Sequence, residues 1–441
     1  MLGLITYSLI LLVLFIGVWR RPAVGMAAVL CLYGLKQWGQ NTSQLLVQYR
    51  QFTNIAVAVI VMIGVWLAAR KRSCLFCGLP PAAALIAALL MYALISVMWA
   101  PDLQASFQEW VIQGPYIIVI ALLAPLLFTD LDDARIGFIW TALAGAAICA
   151  LALAFGKWGS RGLVVLGSVI DEANGGAAET NPLALSSMAG TVFVIAALSL
   201  SRSSPLLLRL AAGACVPIAL AVILRSGSRG QLIASGAGLI VGMPIAFRVK
   251  DVRSLAALIL IAVTVLGLAS WGASLVEIDN SRWADKRTTE DVVGRVANAQ
   301  ALLNLSTSQF SSLIFGLGNS SSFQTIGFYP HIASVEILAE EGIVGAAIYF
   351  AAMFLAVRSI KRILAQSALS DSKRTALAIL SALFVFEFIL SWKQGSLLSS
   401  VYVFAYAIIL GRLEGPALKH APGPAQSPAT PALARFQNLL R

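Results

Sequence analysis

"HIASVEILAEEGIVGAAIYFAAMFLAVRSIKR", residues 331–362, passes from a histidine through three glutamates into a long apolar run and ends in a basic cluster. The run from 333 to 357 exceeds the roughly 20 residues a helix needs to cross a hydrocarbon core about 30 Å thick. In lipid every backbone N–H and C=O needs a partner within the chain, so such a run is a helix. Similar runs recur near 2–19, 22–36, 52–69, 81–99, 112–128, 136–155, 183–200, 206–224, 231–247, 254–270, 374–391 and 396–411. Hydrophobic residues make up 59% of the 441-residue chain, charged residues 12%, and the mean hydropathy is +0.86. A soluble domain carries roughly 25% charged residues. The sequence therefore predicts an all-α polytopic membrane protein with 12 or 13 transmembrane helices.

The first run, "LGLITYSLILLVLFIGVW", lacks a basic n-region and a small-residue cleavage site, which predicts a retained helix. The five cysteines are scattered. Cys74 and Cys77 form a lone CxxC with no second pair or nearby histidine, so neither a metal site nor a disulfide framework is expected.

The net charge of +11 acquires meaning only once it is placed by side. In a thirteen-span alternation, "RR" at 20–21, "RKR" at 70–72, Arg135, Arg202, Arg209, "RVKDVR" at 248–253, "RSIKR" at 358–362, "KR" at 373–374 and the C-terminal tail all fall on one side. That side holds twenty of the 31 Lys and Arg residues and is cytoplasmic by the positive-inside rule. No nucleic-acid motif or aromatic–basic patch is present, so no nucleic-acid partner is expected. The organisation read from the chain is an N-terminal transmembrane bundle (1–270), a large periplasmic loop (271–332), C-terminal transmembrane helices (333–415) and a Pro/Ala-rich cytoplasmic tail (416–441) read as disordered. His420 lies in the tail and is given no role. Within the loop, Val292, Val296, Ala299 and Leu303 recur at helical spacing, and "GLGNSSS" is turn chemistry.

Eleven basic residues remain on the outer side, where orientation does not require them, and they mark the candidate site. "RSGSRG" (225–230) projects Arg225 and Arg229 from a flexible turn that opens a helix. Guanidinium forks beside free helix N–H groups suit a phosphate or diphosphate; interfacial snorkelling of the two arginines is the plainer alternative. His331 sits at the water–lipid boundary, where a histidine titrates near neutrality and can take a proton from a hydroxyl. Its alternative role is to cap the helix or bind a loop carbonyl. Glu336, Glu340 and Glu341 follow it in an apolar helix, where carboxylates are costly and line a polar cavity or pair with a cation. Outer-side arginines are their expected partners. Glu336, Arg295, Lys393 and Arg161 are further substrate-binding candidates; Arg295 is readable equally as a solvated charge, and Lys393 and Glu387 carry the same ambiguity. The chain has no nucleophilic-serine elbow, P-loop, HExxH or outer DxD pair. An outer-face reaction is thus expected to use arginines for phosphate charge and histidine for proton transfer, with no metal and no cofactor.

These residues resemble those of the O-antigen ligase / Wzy polymerase superfamily of bacterial envelope glycosyltransferases. "SRGQLIA" (228–234) resembles its Ser-Arg-Gly segment, and "GRVANAQALLN" with "FGLGNSSSF" (294–323) its loop helix and Gly-x-Gly turn. "HIASVEILAEEGIVG" (331–345) matches its histidine-to-glycine spacing. The residue after the histidine is Ile332, where the family often has Asn, Ser or Gln. The resemblance spans about sixty residues in motif and most of the chain in architecture.

It implies a GT-C-like, inverting glycosyltransferase in the inner membrane with its site facing the periplasm. The donor would be a glycan on undecaprenyl diphosphate, and the acceptor a sugar hydroxyl of lipid A–core. By this resemblance His331 is the base and Arg229 the main diphosphate contact. Ligase is the preferred branch. Wzy-type polymerase and protein O-oligosaccharyltransferase are the alternatives within the family. A lipid-linked glycan flippase is the alternative from another class, and it would predict an internal repeat that the sequence does not show.

Overall fold

The computed structural model describes residues 2–71, 79–158, 164–171, 176–179, 181–201, 205–248, 285–327, 331–366 and 369–419, with 253, 256 and 267. Before the long loop come α1 (Leu2–Arg20), α2 (Gly25–Leu30), α3 (Leu32–Thr42), α4 (Gln44–Gln48), α5 (Phe52–Lys71), α6 (Pro81–Ser96) and α7 (Leu103–Tyr116). They are followed by α8 (Leu131–Phe155), α9 (Pro182–Ser199), α10 (Leu206–Arg225) and α11 (Arg229–Phe247). The loop carries α12 (Asp285–Ser306), α13 (Phe310–Phe315) and α14 (Ser321–Ile326). After it come α15 (Ala333–Glu340), α16 (Gly342–Leu364), α17 (Asp371–Gln394) and α18 (Val401–Lys419). Among the described residues nine helical stretches are long and apolar enough to cross a membrane, and the protein is a multi-pass membrane protein.

Several apolar runs fold differently from a simple span. The run at 22–36 is broken: a 3₁₀ turn (Pro22–Val24) leads into α2, and Cys31 at φ −93°, ψ 0° separates it from α3. Pro115 removes a backbone donor near the end of α7, and a π-helical stretch (Ile117–Leu123) carries the chain on from there. The run at 333–357 is split at Glu341, so the crossing helix begins at Gly342 and α15 lies before it. The 156–182 connection forms a small antiparallel sheet, β1 (Lys157–Trp158), β2 (Val164–Asp171) and β3 (Gly176–Glu179). α18 continues through Gly415 to Lys419, so the first residues read as tail, 416–419, are helical. Residues 420–441, the Cys74–Cys77 pair and nearly all of the 254–270 run lie outside the described residues.

One large buried core joins helices from both sides of the loop. Its closest contact is between α11 and α17. A Cβ added at Gly238 would lie 2.7 Å from the carbonyl oxygen of Ala382, so the two backbones meet only because the side chain is a hydrogen. Gly242, four residues on, repeats the approach, the small-residue spacing by which membrane helices associate without a hydrophobic drive. Trp19, Leu207, Met91 and Phe354 remain exposed on the periphery, as expected of surfaces that meet lipid tails.

The charged ends sort into two faces. On one, Lys373 pairs with Asp132 at 3.4 Å, Arg248 with Asp371, and Arg362 with Glu414 at 2.5 Å, which ties together ends of α8, α11, α16, α17 and α18. On the other, here called the loop face, Gln324 bonds both the N–H and the carbonyl of Asp102 (2.9 and 3.3 Å). Beside it the Asn319 N–H donates to Ser96 Oγ at 3.0 Å. The loop therefore docks on the α6–α7 connection, the side that the alternation of spans assigns to it.

Candidate active site

His331, Arg295, Lys393 and the 225–230 turn converge on the loop face. The turn is built as its composition demands. Arg225 ends α10, Gly227 takes φ +66°, and Arg229 opens α11, its N–H donating to Gly227 O at 3.3 Å. Ser226 and Ser228 are buried beneath it. Lys393, at the end of α17, lays its stem across Gly230, where an added Cβ would lie 2.0 Å from Lys393 Cδ. Lys393 Nζ donates to Gln231 Oε1 at 3.5 Å, and Gln231 Nε2 donates to Leu183 O at 3.5 Å. Arg295 of α12 donates from Nη1 to the carbonyl of Lys393 at 2.8 Å. Three regions far apart in sequence, the α10–α11 turn, α12 and the end of α17, thus place their cations together.

His331 stands at the joint between loop and α15 with φ +57°, a left-handed conformation that costs a non-glycine residue energy and concentrates at functional sites. Its ring opens on a cavity of about 370 Å³ shared with Tyr33, Asn181, Ser187, Glu387, Ser391 and Tyr402, among other lining residues. Partial burial lowers its pKa, and the nearby Arg295 guanidinium lowers it further. The imidazole is therefore neutral at pH 7 and able to accept a proton.

The three glutamates serve a different end from the one expected of them. Glu340 accepts from the N–H groups of Ser320 (2.8 Å) and Ser322 (2.9 Å) and from Ser322 Oγ (2.5 Å). Glu341 accepts from Asn319 Nδ2 at 2.8 Å, and Glu336 from the Leu397 N–H at 3.2 Å. Their hydrogen-bonding partners are thus the Gly-Leu-Gly-Asn-Ser-Ser-Ser turn, Ser96 of α6 and the α17–α18 connection, in place of the expected outer arginines. Buried amide donors satisfy a carboxylate at short range without bringing a second charge out of water. Burial raises the pKa of all three, Glu340 to about 7 and Glu341 to about 8, with the hydrogen bonds opposing the shift.

The turn and the joint interlock through glycine. Gly316 (φ +84°) presses against the Glu340 carbonyl, and Gly342 (φ +66°) against the Ile314 carbonyl. Leu317 and Gly318 donate their N–H groups to the carbonyls of Ala339 and Glu340, both at 2.9 Å.

No protein-family model matches the chain, and no curated protein matches it.

Of the sequence-predicted site residues, His331, Arg229, Arg225, Arg295 and Lys393 belong to the loop-face cluster. Glu336 belongs to the supporting shell. Arg161 lies outside the described residues. Sequence reasoning left out the cavity wall, Tyr33, Asn181, Ser187 and Tyr402, which comes from α3, α9 and α18. The available signal was polar residues at the ends of apolar runs, which also occurs wherever a helix meets water.

Proposed function

We propose that this protein is a membrane glycosyltransferase of the O-antigen ligase type. It would transfer a glycan from undecaprenyl diphosphate to a sugar hydroxyl of lipid A–core, at the periplasmic face of a bacterial inner membrane. The observation that carries the reading is a histidine kept neutral at a cavity mouth, beside cations converging from α10, α11, α12 and α17. In the reaction His331 takes the proton of the acceptor hydroxyl as its oxygen attacks the anomeric carbon. The bond from that carbon to the diphosphate oxygen breaks, and its electron pair leaves with the lipid diphosphate. Arg229 and Arg225, with Lys393 and Arg295 behind them, hold the charge that develops there. Fixed cations aimed at developing charge are often the largest catalytic contribution, and a positioned base adds roughly 10²–10⁴-fold. Attack from the face opposite the leaving group inverts the anomeric centre.

The test is transfer by the purified full-length protein in lipid, with undecaprenyl-diphosphate glycan and lipid A–core, comparing wild type with His331→Ala and Arg229→Ala. Ligated product from wild type and little from either variant is the expected result. Elongation of the donor glycan alone moves the protein to the polymerase branch. Full-rate transfer by His331→Ala removes the histidine from the chemistry.

A further inference from the structure

The cavity beneath His331 carries chemistry that the cationic cluster does not explain. Its floor includes Glu387, two turns of α17 below Lys393, and among the described residues this carboxylate has neither a hydrogen-bond donor nor a cation within bonding distance. An ionisable group at this depth, left without a partner and facing a void, marks a functional site. Around it Tyr33 and Ser187 present hydroxyls that make no hydrogen bond within the described residues, and Asn181 spends its Oδ1 on the first turn of α9 while its Nδ2 remains available. The volume of about 370 Å³ falls at the small end of the roughly 300–1,000 Å³ range of small-molecule sites. No lysine or arginine is among the residues lining it, so the space offers a diphosphate no counter-charge, while the arginines of the 225–230 turn do.

From the unpartnered Glu387 carboxylate opening on a cavity of hydroxyl, amide and aromatic groups, we infer that this cavity is a subsite for one neutral sugar ring, read through its hydroxyls by Glu387. This deepens the transferase reading and rests on it. Two sugars could supply the ring: the first residue of the donor glycan or the attacking residue of the acceptor. A carboxylate accepts from two neighbouring ring hydroxyls, Ser187 and Asn181 supply further polar contacts, and the Tyr33 ring offers a face for C–H groups. Specificity follows because a sugar lacking the hydroxyl leaves the buried carboxylate unpaired. Glu387 is then a specificity-determining residue, while proton transfer stays with His331.

The test uses full-length protein in lipid nanodiscs with three probes: lipid-free core oligosaccharide, undecaprenyl-diphosphate glycan and undecaprenyl diphosphate without sugar. Binding is read as a ligand-induced shift in thermal unfolding, independently of turnover. Glu387→Gln is expected to weaken one of the two sugar-bearing probes at least tenfold and to leave undecaprenyl diphosphate within twofold. Loss on the core oligosaccharide with a raised acceptor KM assigns the ring to the acceptor. Loss on the donor probe with a raised donor KM assigns it to the donor glycan.

Ser187→Leu, which fills the cavity without touching the carboxylate, is expected to give the same selective loss and guards against a folding defect in the first variant. Unchanged binding of both sugar probes by both variants overturns the subsite. Absence of transfer by wild type, with sugar binding still dependent on Glu387, removes the transferase reading and leaves the sugar subsite standing.

Discussion

Two clusters of ionisable groups lie close together on the loop face and are used in opposite ways. The glutamates of α15 and the joint are closed in: Glu340 and Glu341 are at most 1% exposed and are held by backbone and side-chain donors of the glycine turn, with Ser96 of α6 also bonding Glu341. In the cationic set Arg225 and His331 are exposed and Arg229, Arg295 and Lys393 half-buried, and His331 faces a cavity. The first arrangement fixes the position of a loop; the second leaves room for something to bind. In an apolar chain both kinds of charge look equally conspicuous. What separates them is that the carboxylates are sealed against the glycine turn, whereas His331 faces a cavity.

The sharpest test of that contrast sets activity against stability. His331→Ala is expected to slow transfer by about 10²–10⁴-fold while leaving the thermal midpoint near wild type, because the side chain borders space and not packed core. A collapse of the midpoint would move His331 to the structural cluster. Glu340→Ala should do the reverse to the fold. It strands one buried and one half-buried N–H group, and with hydrogen bonds to charged groups worth about 1.5–3 kcal/mol, a loss of about 3 kcal/mol is expected in denaturant unfolding. If Glu340→Ala unfolds like wild type, the turn is held by its glycines and backbone bonds alone.

A pH series probes the same cluster more gently. Glu340 and Glu341 have pKa values raised from 4.5 to about 7 and about 8 in the folded protein. The folded state therefore binds more protons than the unfolded chain between these limits, so their contribution to stability declines as pH rises from about 4.5 to about 8. Glu341→Gln should flatten the upper part of that decline; a midpoint independent of pH in wild type would contradict the raised values.

The smallest expected effect lies in the cationic set. Burial lowers the pKa of His331 and Arg295 lowers it further, so the acidic limb of kcat/KM should lie below pH 6.5. Arg295→Ala should move that limb to higher pH without abolishing turnover. A limb that stays in place would show that Arg295 does not act on the imidazole.

The spans were legible in the sequence because hydropathy measures what lipid demands of a segment, whatever its neighbours. The loop helix was legible too, although not its buried face. Val296 is 56% exposed, whereas Ala299 and Leu302 are buried, since the helix rests on α15 and does not enclose a core of its own. The breaks at Cys31 and Glu341 were hidden inside apolar runs, where composition does not register a change of direction.

Hydropathy and residue spacing suffice to establish that this chain crosses a membrane many times, and which segment between spans carries a helix and a glycine turn. They also pick out His331 and the arginine turn, because ionisable groups are costly near lipid and stand out against an apolar background. Contacts across the fold separate the carboxylates sealed against the glycine turn from the histidine that faces a cavity. Glu340 meets donors about twenty residues away in sequence, and the cavity wall combines α3, α9, α17 and α18. Whether a charge is satisfied depends on groups within a few ångströms in space, and the folded chain brings those together from positions that no local pattern connects.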